Sequence, residues 1–308
     1  MSHLSQEAVL LWSILGGMLL VFLVWHLWKF DRFNCLYLRS NKDGRNGGFK
    51  RLMTYSYLCS IPLLLFYGVT ITVIKYCEGY FISGDSVVPL PYALWGKGAQ
   101  HWITILYVAL SLAWALEIVS HLEELNFWLF LLALQAPQNW FKSPYFFTWA
   151  IGSILALAGL PATVLATRHD PLKAESWLFF VGSMFDLLIT LASLKVLWQF
   201  PRFLVLVRNQ GADPETMVRL ETYSQLNSIR VLFRFLFVIP LFILAVDGIR
   251  PGHTHTVNQH MFATDFLAMI AGIGCFVSSM LTLLVFFPRS VVQESGYTVV
   301  HPDTLSKA

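Results

Sequence analysis

Charge is the scarcest ingredient of this chain. Of 308 residues, 21 are Lys or Arg and 18 are Asp or Glu, 13% in all, against roughly a quarter in a soluble globular domain. Cysteine is scarce too, with four in the chain, and no Asn-x-Ser/Thr sequon occurs. So little charge excludes a disordered chain and an ordinary soluble enzyme, and so few cysteines exclude a disulfide scaffold. Polar stretches are also short, roughly 20–30 residues at most, which leaves no room for a separate soluble domain. The remainder is apolar: 56% of residues are hydrophobic and the mean hydropathy is +0.61. This composition specifies a polytopic membrane protein in contact with the lipid bilayer.

A membrane helix needs about 20 mostly apolar residues. Seven stretches qualify: Ala8–Trp28, Leu52–Tyr76, His101–Ser120, Tyr145–Thr167, Trp177–Phe200, Ile229–Ile249 and Phe262–Phe287. The expected fold class is an all-α membrane protein, a seven-transmembrane-helix bundle forming one domain over residues 1–290, followed by a tail at 291–308. The first stretch is too long for the core of a signal peptide and no Lys or Arg precedes it, so it is expected to be a retained helix. The third has two readings. Apolar sequence resumes at Phe127 and runs to Leu134, which fits either one long helix from about Trp102 to Gln135 or a separate interfacial helix at Asn126–Gln135.

The basic residues set the expected orientation. Lys29 to Arg51 holds seven Lys or Arg against two Asp. Placing that loop in the cytosol puts the N-terminus outside and the C-terminus, with its tail, inside. Sixteen of the 21 basic residues then fall on the inner side, and only Lys75, Lys97, Arg168, Lys173 and Arg250 fall outside. The net charge of +3 follows from these loops. It indicates attraction to anionic lipid rather than to nucleic acid, because no basic stripe is interleaved with exposed aromatics. The membrane is expected to be the plasma membrane or an endomembrane.

Cys59 and Cys275 fall within spans, Cys35 inside and only Cys77 outside, so no extracellular disulfide forms within the chain. Cys35 is a plain thiol or a palmitoylation site. Pro62, Pro161 and Pro240 lie inside predicted spans, as packing kinks or hinges. The seventh span carries Ala268, Ala271, Gly272, Gly274, Cys275 and Ser278, small residues that permit close helix approach. Asn209-Gln210-Gly211-Ala212 stops a helix and Asp213-Pro214-Glu215 starts one, so spans five and six are expected to project beyond the membrane as a cytosolic hairpin. That hairpin, residues 200–228, is either a docking surface for a cytosolic protein or a solvated loop.

The few charges at membrane depth are the candidate functional residues. Glu117, His121 and Glu124 follow at spacings of four and three and share one helix face, while Glu123 points elsewhere. Arg230 and Arg234 share a face of the sixth span. The two sets have opposite charge at similar depth and are expected to meet as an ion-pair network. Asp186 lies near the middle of span five and could bind a cation, carry a proton or bond a neighbour. Asp247 and Asp265 lie towards the outer ends of spans six and seven and could cap a loop or pair with Arg250. His253, His255 and His260 form an imidazole-rich loop that is read as solvated rather than metal-binding. No catalytic residue, metal ligand or cofactor site is assigned.

Known seven-span classes are tested by their motifs. No Lys occurs between Phe262 and Phe287, which excludes a retinal bound through a lysine of the last helix. The third span ends in Ser120-His121-Leu122-Glu123-Glu124-Leu125 and the seventh in Phe286-Phe287-Pro288-Arg289-Ser290, so the Asp-Arg-Tyr and Asn-Pro-x-x-Tyr signatures of rhodopsin-like receptors are missing. The His-x-x-x-His pair of seven-span zinc hydrolases is missing from the last helix as well. The strings SHLEELNFWLFLL (Ser120–Leu132), LNSIRVLFRFLFVIPLFILAVDGIRP (Leu226–Pro251) and TDFLAMIAGIGCFVSSMLTLLVFFPRS (Thr264–Ser290) resemble those of uncharacterised polytopic membrane proteins of basidiomycete fungi. The resemblance covers most of the chain. It implies a fungal integral membrane protein with a seven-helix bundle and carries no reaction, ligand or site.

Three functions fit these residues. The first is a receptor-like signalling scaffold whose charged face between spans three and six biases the cytosolic side. The second is a small-solute or proton-coupled transporter with Asp186 on its path, although no internal repeat is visible. The third is an intramembrane metal-dependent hydrolase with a metal on Glu117, His121 and Glu124. An enzyme is the least expected of these.

Overall fold

A computed structural model describes residues 4–31, 33, 47–83, 86–133, 143–209, 211, 213–250 and 256–286. Within them lie seven helices long and apolar enough to cross a membrane. They are α1 (Gln6–His26), α2 (Gly47–Glu78), α3 (Lys97–Leu132), α4 (Pro144–Thr167), α5 (Pro171–Asn209), α6 (Pro214–Ile249) and α7 (Met261–Phe286). This is the build of a polytopic integral membrane protein. Such helices satisfy their own backbone bonds, the requirement lipid imposes. Cys35, His253, His255 and the 291–308 tail lie outside the described residues, as does most of the basic Lys29–Arg51 loop.

Local signals account for several boundaries. Ser5 and Ser143 cap α1 and α4, their side chains accepting from the backbone N–H of Ala8 and Phe146. Gly211, at φ +81°, supplies the left-handed residue in the turn between α5 and α6, and Pro214 then opens α6. Prolines 62, 161, 201 and 240 sit inside α2, α4, α5 and α6. Among the described residues the strands form one hairpin, β1 (Tyr80–Ser83) antiparallel to β2 (Ser86–Pro89), between α2 and α3, which marks one end of the bundle.

Length separates the helices into two kinds. At about 1.5 Å per residue, α1, α4 and α7 span about 30–40 Å, which matches a hydrocarbon core of about 30 Å with its margins. Helices α3, α5 and α6, with 36, 39 and 36 residues, run to about 54–58 Å. They overrun at the end opposite the hairpin. Helices α5 and α6 run past the apolar spans expected at Trp177–Phe200 and Ile229–Ile249, as the stop and start signals between them foretold: α5 continues through Pro201 to Asn209, and α6 begins at Pro214. The overrun of α3 decides between its two sequence readings. Residues 126–132 continue the same helix rather than forming an interfacial one, because Trp128 is buried with its ring stacked on Tyr223 at 4.2 Å and near Phe200 at 5.4 Å.

Helix α3 is the axis of the bundle. Its most apolar window is 72% buried, against 22% for α4. Helix α4 instead presents Ile151, Ile154 and Leu155 outward, a hydrocarbon surface suited to lipid. Close approach elsewhere depends on glycine. A Cβ on Gly274 of α7 would fall 2.5 Å from the Phe237 backbone nitrogen of α6, so this pair packs backbone to backbone. A Cβ on Gly182 of α5 would fall 2.8 Å from the Trp114 ring of α3.

Candidate functional site: a buried ion-pair network beneath an apolar cavity

One face of α3 carries Trp114, Glu117, His121, Glu124 and Trp128, at successive spacings of three, four, three and four. That period keeps all five on one side of the helix. The face looks into the centre of the bundle, towards α5, α6 and α7.

Arg230 of α6 grips Glu124 with both terminal nitrogens, one to each carboxylate oxygen. The planar guanidinium fork matches the carboxylate, which makes this the strongest type of side-chain pair. Arg230 also donates to Asn227 Oδ1 one turn back and to Thr282 Oγ1 of α7 at 3.4 Å. Arg230 is 3% exposed and Glu124 also 3%. Two charges so far from water require each other: removing one partner of such a pair typically costs about 3–5 kcal/mol.

Asp186 of α5 forms a second centre. Its Oδ2 accepts from the indole Nε1 of Trp114 at 2.6 Å. Its Oδ1 accepts from Arg234 at 3.4 Å and lies 3.6 Å from His121 Nδ1. The last distance is too long for a hydrogen bond, so His121 acts on Asp186 by position and field. Neither His121 nitrogen makes a hydrogen bond among the described residues. Arg234 thus turns to α5, whereas the sequence pointed it at the α3 acids, and Asp186 belongs to the network rather than standing apart from it.

Glu117 is the member with room around it. Its Oε1 accepts from Ser279 Oγ of α7 at 3.1 Å, with the Cys275 thiol at 4.0 Å. It is half-buried and forms part of the wall of a cavity. Glu117, His121 and Glu124 therefore face three different partners. Among the described residues, no three His, Cys, Asp or Glu side chains are grouped to hold a metal ion. Glu123 stands on another side of α3, fully buried, with neither carboxylate oxygen bonded among the described residues.

The cavity lies on the hairpin side of this network. It encloses about 870 Å³ of atom-free space, counting the part open at its mouth. Walls come from α1, α2, α3, α5, α6 and α7, with Trp12, Tyr57, Trp114, Phe179 and Phe237 among the linings. Trp114 is shared between the two features: its ring lines the cavity and its N–H bonds Asp186.

The other depth charges are satisfied locally. Asp247 accepts from the backbone N–H groups of Thr256, Val257 and Asn258 and so closes the loop from α6 to α7. Asp265 accepts from the Ser5 backbone N–H at 2.8 Å and ties α7 to the start of α1. His260 accepts from the Thr264 N–H through its backbone carbonyl and from the Thr264 hydroxyl as well, which gives it a place in the α7 start. Cys59 and Cys77 are free and exposed, and Cys275 is free and buried.

Sequence reasoning missed Trp114, Asn227, Ser279, Thr282 and Tyr223 as partners. Trp114 had a usable signal, three residues before Glu117 on the same face. The α7 hydroxyls were disguised within a stripe of small residues. Comparison with known proteins finds no matching family model, no matching curated protein and no matching solved structure.

Proposed function

We propose that the protein is a receptor-like membrane protein in which occupancy of the apolar cavity is transmitted through the ion-pair network to the overrunning ends of α5 and α6. The observation that carries this reading is Trp114, which touches cavity and network at once. A ligand pressing on the indole moves the donor that holds Asp186, and Asp186 in turn positions Arg234 on α6. The network is thereby the bistable element that coupling between two sites requires.

Orientation belongs to the same proposal. The basic bias places the hairpin end outside and the α5–α6 turn in the cytosol. The overrun then projects Val205, Leu206 and Val218, all at least half exposed, where a cytosolic protein can meet them. The membrane is the plasma membrane or an endomembrane, and the strings that resemble basidiomycete proteins favour a fungal source.

Hydrogen exchange of the full chain in nanodiscs tests the coupling without a known ligand. Filling the cavity with Ala113→Leu, and cutting the link with Trp114→Phe, are each expected to change exchange at residues 202–220 by more than about threefold. Unchanged exchange there, with both variants folded, would refute transmission from cavity to turn.

A further inference from the structure

The cavity also defines the chemistry of what fills it. Its lining is almost wholly hydrocarbon and aromatic, with hydroxyls from Tyr57, Ser60, Tyr67 and Ser279. Glu117 is the one charged side chain among the described residues that line this cavity, and no Lys, Arg or His is among them. The hydrogen bonds that reach Glu117 among the described residues arrive at Oε1, leaving Oε2 for another donor. The neighbouring cation Arg234 is already engaged by Asp186.

A second, smaller pocket adjoins the cavity. Leu4, Val9 and Tyr67 line both this cavity and a smaller one of about 450 Å³ nearer the hairpin, where Lys75, Tyr107 and Glu175 sit. The main cavity by itself follows α1 from Ala8 to Leu19, about 16 Å at 1.5 Å per residue, and carries the Glu117 carboxylate on its wall.

We infer that this cavity binds a long-chain alkyl amine, its ammonium on Oε2 of Glu117 and its chain along Trp114, Phe237 and Leu241 towards the hairpin. The inference rests on the receptor-like reading and names its ligand class. A half-buried carboxylate in an apolar wall, bonded at one oxygen only, gains from a cation, and an ammonium supplies the opposite charge together with a charge-assisted hydrogen bond. An alcohol of equal length can donate a hydrogen bond to the carboxylate but brings no positive charge to offset it. A fatty acid brings a second negative charge to Glu117 where little water screens it. A plain alkane leaves the carboxylate unanswered.

Photolabelling of the full chain in nanodiscs with a hexadecylamine carrying a mid-chain diazirine tests this. Label is expected on the peptides bearing Trp114 and Phe237. Unlabelled hexadecylamine should compete at about tenfold lower concentration than hexadecan-1-ol, and palmitic acid should compete least. Glu117→Gln should shrink the advantage of the amine over the alcohol to less than about threefold, and Glu117→Asp should keep part of it. Thermal unfolding confirms that both variants are folded. Palmitic acid competing as well as the amine overturns the ligand assignment, as does an amine-to-alcohol ratio that Glu117→Gln leaves unchanged; either result leaves the cavity as a site for another ligand. No site-specific labelling by amine, alcohol or acid diazirine probes overturns the assignment and the receptor-like reading together.

Discussion

Trp114 and Trp128 stand on the same face of α3, about four turns apart, in opposite surroundings. The Trp114 ring borders open space, touching Phe237 at 5.9 Å between centroids and Phe179 at 5.6 Å. The Trp128 ring is stacked on Tyr223 and packed by Phe200. Between them lie Glu117, His121 and Glu124, so the change from loose to tight packing occurs across the charged turns. The hairpin half gives up packing and contact energy around its cavity, as an unfilled space does. The other half is closed by a bidentate pair and an aromatic stack. The molecule is thus tightly packed where α5 and α6 overrun and loosely packed around the cavity, the arrangement that the proposed coupling requires.

This contrast can be broken at its strongest point first. Arg230→Ala leaves Glu124 buried and alone, and should cost about 3–5 kcal/mol in unfolding by SDS or heat. The double substitution Glu124→Leu with Arg230→Met should recover most of that loss, because it removes both charges at similar volume. A double variant no better than Arg230→Ala would show that the pair does more than compensate its own charges. Asp186→Leu strips Arg234 and Trp114 of their shared acceptor at once. Its single contact with Arg234 is longer, so a loss of about 2–3 kcal/mol is expected by the same measurement.

Packing sharpens the comparison. Ala113 lines the cavity and Ala115, two residues on, is fully buried outside it. Ala113→Leu should shift stability by less than about 1 kcal/mol in either direction, while Ala115→Leu should cost about 1–3 kcal/mol through overpacking. Equal losses at both sites would mean that the cavity is not room for a side chain.

The smallest effect lies at the hairpin. The Tyr80 hydroxyl donates to Glu7 Oε1 at 2.7 Å, and that bond holds its pKa up at about 12. An unfolded tyrosine titrates near 10. The folded chain therefore keeps this proton more tightly, and the bond contributes fully below about pH 10 and is lost as pH rises through about 12. Its exposure limits the worth to a few tenths of a kcal/mol. Tyr80→Phe should flatten that part of the alkaline stability profile and leave the network untouched.

Much of this was written in the chain. The apolar runs specify seven helices because lipid admits few other ways to satisfy a backbone. The Gly211 turn and Pro214 start were readable because left-handed backbone and helix N-termini each select residue types. The faces of Glu117, His121 and Glu124, and of Arg230 and Arg234, follow from helical periodicity alone. The helix lengths were harder to read: nothing local shows that a stretch such as Phe127–Leu132 belongs inside, since a Trp suits both a membrane surface and a core.

Sequence alone therefore determined that the chain forms seven helices long and apolar enough to cross a membrane, and which side chains share a helix face, because composition and the 3.6-residue period act locally. Only the tertiary structure decided that Glu124 takes Arg230, that Arg234 takes Asp186, and that Glu117 is left facing a cavity. Those outcomes depend on how far each helix is shifted and rotated against the next. That is set where α6 and α7 meet at Gly274, where Gly182 admits the Trp114 ring, and where Trp128 stacks on Tyr223, contacts between residues far apart in the chain.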